Sequence, residues 1–269
     1  MLLSFDHLVI FLRKPEEALQ TLSKIGIHAI HGGHHEKWGT YNTLSYFGLS
    51  YIEFLGIEDL SITEKQENNQ LITEIVDQLS KKGQEGPAKI AVRARGMQEL
   101  AERLKAEGYA VYGPYPGERV RADGQIIKWS LLFLENEPNE LTMPFFIEWE
   151  KSDEERLVEL KEQGLVETHP LDNLAFESVA FVVHDFERTI TKWGSLLNLE
   201  PGEAFIDEAL NAKCSKLELL GTSLLFCTPI GEGLAKKVLK EKGETPFLIN
   251  LEGTNQPDYL EMFGGVWRL

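Results

Sequence analysis

The sequence predicts an α+β fold built from repeated βαβββ modules, two paired around a cup and followed by a third and a partial fourth. Three observations predict it. Strand-like apolar runs recur at residues 5–12, 87–94 and 176–183. Each run leads into a segment of helical spacing. Each helix then gives way to short β-rich segments divided by turn signals.

In the first copy the helix occupies 15–24 and stops at Gly26, and strands follow at 27–32, 41–47 and 50–55. In the second, residues 96–107 carry Leu100 and Leu104 four apart and end at Gly108. Strands are expected at 109–112, 125–133 and 144–149. In the third, His184-Asp185 offers an N-cap to a helix bearing Ile190 and Trp193. Strands at 214–220 and 223–227 follow, with a weak one near Phe205. A truncated fourth copy reads as a helix over 234–242 and a strand over 245–251.

Residues 57–86 join the first two copies. They are polar, yet Leu71, Ile72, Ile75, Val76 and Leu79 keep helical spacing, so an amphipathic helix on the outside of the fold is expected. A second charged helix over 153–164 leads to a boundary near His169-Pro170. The chain therefore divides into 1–168, holding modules 4–57 and 87–150 and their linking helix, and 169–269, holding the third module and the partial fourth.

Twenty-seven basic against forty-three acidic residues leave a net charge of −16, which repels a phosphate backbone or an anionic bilayer. Nucleic acid and membrane are not expected partners. No stretch reaches the roughly 18 apolar residues of a membrane span. The first residues read as a buried strand, not a signal peptide. Cys214 and Cys227 lack metal-type spacing and suit a reducing cytoplasm as small core residues.

Specific residues carry a family resemblance. They are Phe5-Asp6-His7-Leu8-Val9, Gly32-Gly33-His34-His35-Glu36-Lys37-Trp38-Gly39-Thr40-Tyr41-Asn42, Tyr51-Ile52-Glu53-Phe54-Leu55, Asp123-Gly124, Lys128-Trp129, the run from Met143 to Trp149, and Thr168-His169-Pro170. With these the chain resembles the glyoxalase-like family of the vicinal oxygen chelate superfamily, over about residues 4–185. The resemblance implies the fold shared with glyoxalases, bleomycin-resistance proteins and dihydroxybiphenyl dioxygenases. It also implies one cup ligand from the first and last strand of each paired module.

His7 and Glu53 stand at those positions in the first copy. The opening strands align at an offset of 82, which takes His7 to Lys89. The contexts Ile52-Glu53-Phe54 and Ile147-Glu148-Trp149 take Glu53 to Glu148. Strand parity, which puts alternate residues on one face, groups His7 with Phe5, Val9 and Phe11. His7, Glu53 and Glu148 are thus expected to converge as ligands of a divalent ion such as Zn, Mn, Fe or Ni. Lys89 offers no lone pair while protonated and could instead compensate the carboxylates in a metal-free pocket.

His35, after two glycines, reads as a general acid/base or further ligand at the cup mouth, or as an exposed strand end. Glu53 and Glu148 are the other candidate proton carriers. Asn42, Trp129 and Phe146 would line the pocket. Arg121, clustered with Arg119 and Lys128, would hold an anionic ligand. Ser178 and Leu225 replace His7 and Glu53 in the third copy, which therefore reads as scaffold. Its open sheet face needs cover from its own C-terminal segment or from a second chain, and a homodimer is expected. Two functions fit: an isomerase, lyase or dioxygenase acting on a small oxygenated metabolite, or a protein that binds and sequesters a small molecule.

Overall fold

The structure, a computed structural model, describes residues 2–66, 69–120, 124–171, 174–253 and 259–269. Module one comprises β1 (Ser4–Phe11), α1 (Glu17–Lys24), β2 (Ile30–His35), β3 (Thr40–Phe47) and β4 (Ser50–Ile57). The linker forms α2 (Leu60–Thr63) and α3 (Gln70–Ile75), and α3 runs on into a π-helical stretch, Val76–Lys81. Module two comprises β5 (Gly86–Arg93), α4 (Met97–Ala106), β6 (Val111–Val120), β7 (Ile126–Leu134) and β8 (Phe145–Trp149). Then comes α5 (Asp153–Glu162), started by a capping box in which Ser152 and Glu155 satisfy each other's backbone N–H. Module three has β9 (Ala175–Val182), α6 (Phe186–Leu197), β10 (Phe205–Asp207), β11 (Ala212–Leu219) and β12 (Thr222–Pro229). The chain ends with α7 (Leu234–Lys242), β13 (Thr245–Glu252), β14 (Tyr259–Met262) and β15 (Gly265–Arg268).

Modules one and two close into one barrel, in the order β1-β4-β3-β2-β6-β7-β8-β5. One seam is the long antiparallel pairing of β1 with β5. The other joins β2 to β6, among the described residues through the pair His34–Val120. The C-terminal sheet stays open, ordered β10-β11-β12-β9-β13-β15-β14. There β13 takes the place beside β9 that β5 takes beside β1. The helix expected inside the fourth copy is α7, which precedes β13 and so fills the linker position instead.

A shift of pairing register at the start of each module's first strand sets the geometry. Pairing skips Asp6 between Phe5 and His7, and Ala88 between Pro87 and Lys89. It skips Glu177 between Phe176 and Ser178, and Phe247 between Pro246 and Leu248. One extra residue in a strand moves everything beyond it to the other face. Phe5 therefore does not share a face with His7, as simple alternation predicts. Phe5 turns outward onto Phe176, with ring centroids 5.0 Å apart, while Val9 and Phe11 line the barrel interior.

The core lies in layers. Outward residues of β1 and β5 pack with α1, α4 and α6 and with one face of the C-terminal sheet. Inside the barrel, Val9, Phe11, Ala91, Phe133 and Phe145 meet Leu71, Ile75 and Leu79 of the linker helix. That helix plugs the barrel and does not lie on the outside. An aliphatic side chain gains about 1.5–3 kcal/mol on full burial, so this face is far better satisfied inside than on a solvated surface. The inner face of the C-terminal sheet is covered in turn by Ala235, Leu234, Val238 and Leu239 of α7. Of the two covers expected for that face, the chain's own C-terminal segment supplies one. Among the described residues no helix is long and apolar enough to cross a membrane.

Candidate functional site

The barrel encloses a cavity of about 50 Å3, walled by Trp38, Trp129, Trp149, Tyr51 and Phe145 and closed on one side by Leu71 and Ile72 of α3. His7, His35, Asn42, Glu53 and Arg119 bring polarity into it. The adjacent parallel strands β1 and β4 deliver His7 and Glu53, whose Nε2 and Oε2 stand 3.4 Å apart. Asn42 on β3 donates from Nδ2 to Glu53 Oε1 at 2.5 Å. Its own Oδ1 accepts the Gly33 N–H at 2.9 Å. A Cβ on Gly32 would stand 2.0 Å from that Oδ1, so the glycine is what lets Asn42 lie flat against the strand.

The shifted register turns Asp6 back toward its neighbour. Asp6 Oδ1 meets His7 Nδ1 at 2.8 Å. Asp6 Oδ2 accepts from Arg93 Nη1 at 2.9 Å and from Trp149 Nε1 at 3.0 Å, and Arg156 Nη1 stands 3.6 Å away. His7 itself is sandwiched, stacked on Tyr51 at 4.4 Å and edge-on to Phe145 at 5.5 Å. The result is one buried chain of groups: arginines, Asp6, His7, Glu53, Asn42.

Burial acts against every charge in this chain, and the partners decide the outcome. Burial alone would raise Asp6, but the His7 hydrogen bond and the charges of Arg156, His7 and Arg93 hold it well below the usual carboxylate range. Burial would likewise raise Glu53, yet the hydrogen bond and charge of His7, with the Asn42 hydrogen bond, bring it down to about 2. Burial pulls His7 down, and hydrogen bonds to Asp6 and Glu53 overcome it and raise the imidazole above its ordinary value. The two flanking carboxylates thus favour the imidazolium form of His7. His35 is the opposite case. Burial, aided by Arg119, lowers it to about 4 against the pull of Glu53, so its ring is neutral. Its Nδ1 lies 3.0 Å from Thr40 Oγ1.

The structure brings His7, Glu53, His35, Asn42 and Trp129 to the cavity. It does not bring Glu148, Phe146 or Lys89. The parallel registers explain the first two. Val9 pairs with Glu53 across β1 and β4, and at the same 82-residue offset Ala91 pairs with Phe145 across β5 and β8. The counterpart of Glu53 is therefore Phe145. The likeness of Ile-Glu-Phe to Ile-Glu-Trp sets the strand off by three residues, which reverses its faces. Phe145, Ile147 and Trp149 point inward, whereas Phe146 joins the outer core. Glu148 accepts the Gly96 and Met97 N–H groups at 2.7 and 3.2 Å, at the start of α4. Lys89 is the counterpart of His7, as the offset predicts, but its Nζ is taken by Glu74 of α3 at 2.6 Å. Arg121 lies outside the described residues.

The expected metal set fails on its donors. With Glu148 elsewhere, His7, Glu53 and the further candidate His35 remain, and each already holds protein partners. Among the described residues no three His, Cys, Asp or Glu side chains are grouped to hold an ion. The residues present do not fit the divalent site. Sequence reasoning missed Asp6, Arg93, Arg156, Trp149, Trp38 and Tyr51. A charge inside the apolar run Ile90-Ala91-Val92-Arg93 was the available signal, because a buried arginine needs a buried acid.

A family model described as a glyoxalase-like domain matches residues 5–197. The chain belongs to the glyoxalase-like domain family. Two solved structures show how far the architecture extends. A hypothetical protein from Staphylococcus aureus is 22% identical with a TM-score of 0.78, over 99% of this chain and 98% of that one. A triple mutant of 4-hydroxymandelate synthase from Streptomyces coelicolor is 11% identical with a TM-score of 0.58, over 93% and 71%. At such identities the likeness speaks for the fold alone. No curated protein matches the sequence. The glyoxalase-like barrel is thus assigned by family, and its chemistry has to be argued from its own cavity.

Proposed function

We propose that this chain is an enzyme of isomerase or lyase type that moves a proton on a small oxygenated molecule held in the barrel cavity. The observation that carries the reading is the Asp6–His7–Glu53 chain ending in that cavity. Burying two carboxylates and an imidazolium costs several kcal/mol unless they are paired, and a pocket meant only to hold apolar matter has no use for them. A resting Glu53 near 2 is a weak base. A ligand oxygen that accepts the His7 Nε2 proton in place of Glu53 changes this. Glu53 then loses the partner that holds it ionised, becomes more basic, and takes a proton from the ligand carbon beside that oxygen. Electrons left on carbon move onto the oxygen, where the His7 imidazolium faces the developing charge. Asp6 keeps His7 oriented, and neutral His35 is a second group able to accept or return a proton.

The test is hydrogen exchange. Small ketones incubated in D2O with the protein should lose the NMR signal of the C–H beside the carbonyl, and Glu53→Gln should abolish that loss. A second reading, sequestration without turnover, is favoured by the three tryptophans in the cavity wall. Binding of these compounds with no exchange in the wild type would select it over the enzyme. The expected homodimer has lost its chief argument now that α7 covers the third sheet.

A further inference from the structure

Behind Trp149 lies a second cavity, of about 60 Å3, between β3, β7 and α5. Arg119, Lys128, Lys151 and Arg156 line it, with the hydroxyl-bearing Tyr46. Its acids are Glu150 and Glu159, and Glu159 is bonded to Lys151. In a chain of net charge −16 this is an unusual local excess of cations. Arg119 and Trp149 also line the central cavity, so they form the partition between the two spaces. Arg119 reaches the surface groove outside Gly32-Gly33 as well. Arg156 lies with its guanidinium carbon 4.1 Å from the Trp149 ring centroid. Its Nη1 is buried without a hydrogen bond, the Asp6 carboxylate standing too far at 3.6 Å.

These facts bear on what the central cavity can accept. Glu53 is buried and ionised there, so an anionic group placed beside it would be repelled in a medium of low dielectric. One lodged past Trp149 would meet two guanidinium groups instead. A guanidinium forks onto a carboxylate through two parallel hydrogen bonds, and buried donors gain most from such a partner. We infer that the ligand of this protein is a carboxylic acid with a flat apolar body. Its carboxylate is held by Arg119, with Arg156 and Lys128 behind, its body lies against Trp129 and Trp149, and its far end reaches His7 and Glu53. The inference rests on the reading of the central cavity as the reaction site and names the ligand class for it.

Phenylacetate and its uncharged isostere phenylacetamide test it by isothermal titration calorimetry at pH 7 and low salt. The wild type should bind the acid at least tenfold more tightly than the amide. Arg119→Met should erase that preference while circular dichroism shows the fold intact, Arg119→Lys should restore part of it, and Glu53→Gln should retain it. Equal affinities, no binding of either probe, or a preference that survives Arg119→Met would overturn the inference. Inorganic phosphate binding more tightly than phenylacetate would overturn the carboxylate assignment. The outcomes also separate this inference from the proposed activity. An Arg119-dependent preference with no proton exchange on any compound leaves the ligand class standing and removes the enzyme. Exchange on uncharged ketones without a preference for acids does the reverse.

Discussion

Asp6 and His7 are consecutive residues of one strand, yet their side chains are hydrogen-bonded to each other, Oδ1 to Nδ1 at 2.8 Å. In an unbroken strand they would point to opposite faces. The shifted pairing between Phe5 and His7 removes that separation. It lets one strand supply both the cavity imidazole and the buried acid that charges it, and β5 and α5 add the arginines that keep the acid ionised.

Asp6→Asn should therefore act at two places. It leaves the Arg93 and Arg156 guanidinium groups facing a neutral amide in a buried setting. Removing one partner from such a cluster costs about 3–5 kcal/mol. It also takes from His7 the carboxylate that raises its pKa. Urea unfolding should show the loss of stability, and NMR titration should show the His7 ring titrating at lower pH than in the wild type. An unchanged His7 titration would place its proton on Glu53's account alone.

The fold was legible in the sequence because period and repeat survive on the surface of the chain: apolar runs, glycine stops and cap residues mark each module. His7 and Glu53 were legible for the same reason. A three-residue similarity sets Glu148 and Phe146 on the wrong face, because strand pairing is a long-range property that local likeness does not carry. Asp6 is hidden from the sequence because alternation assigns a residue beside an inward histidine to the outer face. Only the pairing register of β1 with β5 reveals the extra residue. The inward position of α3 was illegible too, since an amphipathic stripe shows that a face is buried and not against what.

The two cavity histidines should pull stability in opposite directions with pH. The folded pKa of His7 is raised above 6.5, so its contribution is complete below 6.5 and fades as pH rises through the folded value. His35 sits at about 4, so between 6.5 and 4 the unfolded chain takes up a proton that the folded chain refuses. Stability from His35 is present above 6.5 and declines as pH falls across that window, by on the order of 3 kcal/mol. Urea midpoints at pH 4, 5.5, 6.5 and 8 should show His35→Gln flattening the acid limb and His7→Gln flattening the alkaline one. A His35→Gln profile parallel to the wild type would mean that the ring is free to ionise in the fold.

Glu148→Gln tests the corrected place of that residue. Its carboxylate accepts two N–H groups at the start of α4, where Gly96 has no side chain to cap them. Losing the charge there should cost about 1 kcal/mol through the helix terminus. The loss should be the same with or without added divalent ions, and ligand binding in the barrel should not change. A variant that loses affinity for a metal or for phenylacetate would return Glu148 to the cavity.

Lys89 offers the sharpest contrast with the sequence expectation, which set it between two cup carboxylates. Its Nζ is almost wholly buried and bonds to Glu74, whose side chain is 24% exposed, and Asn136 donates to the same carboxylate oxygen at 2.8 Å. The group ties α3 to β5 and to the segment after β7, so it holds the plug in the barrel. Lys89→Met removes the buried charge and leaves a carboxylate that water can reach and Asn136 still serves. The loss should therefore be modest, about 1–2 kcal/mol, and not the 3–5 kcal/mol of a stranded buried ion. Its mark should be local: amide exchange over residues 70–81 should speed up by tenfold or more while the β1 and β5 amides keep their protection. Adding Glu74→Leu should recover much of the stability, because two apolar side chains of similar length replace an ion pair that was expensive to desolvate. Uniformly faster exchange across both sheets would show instead that Lys89 supports the barrel itself, and the tether to α3 would have to be abandoned.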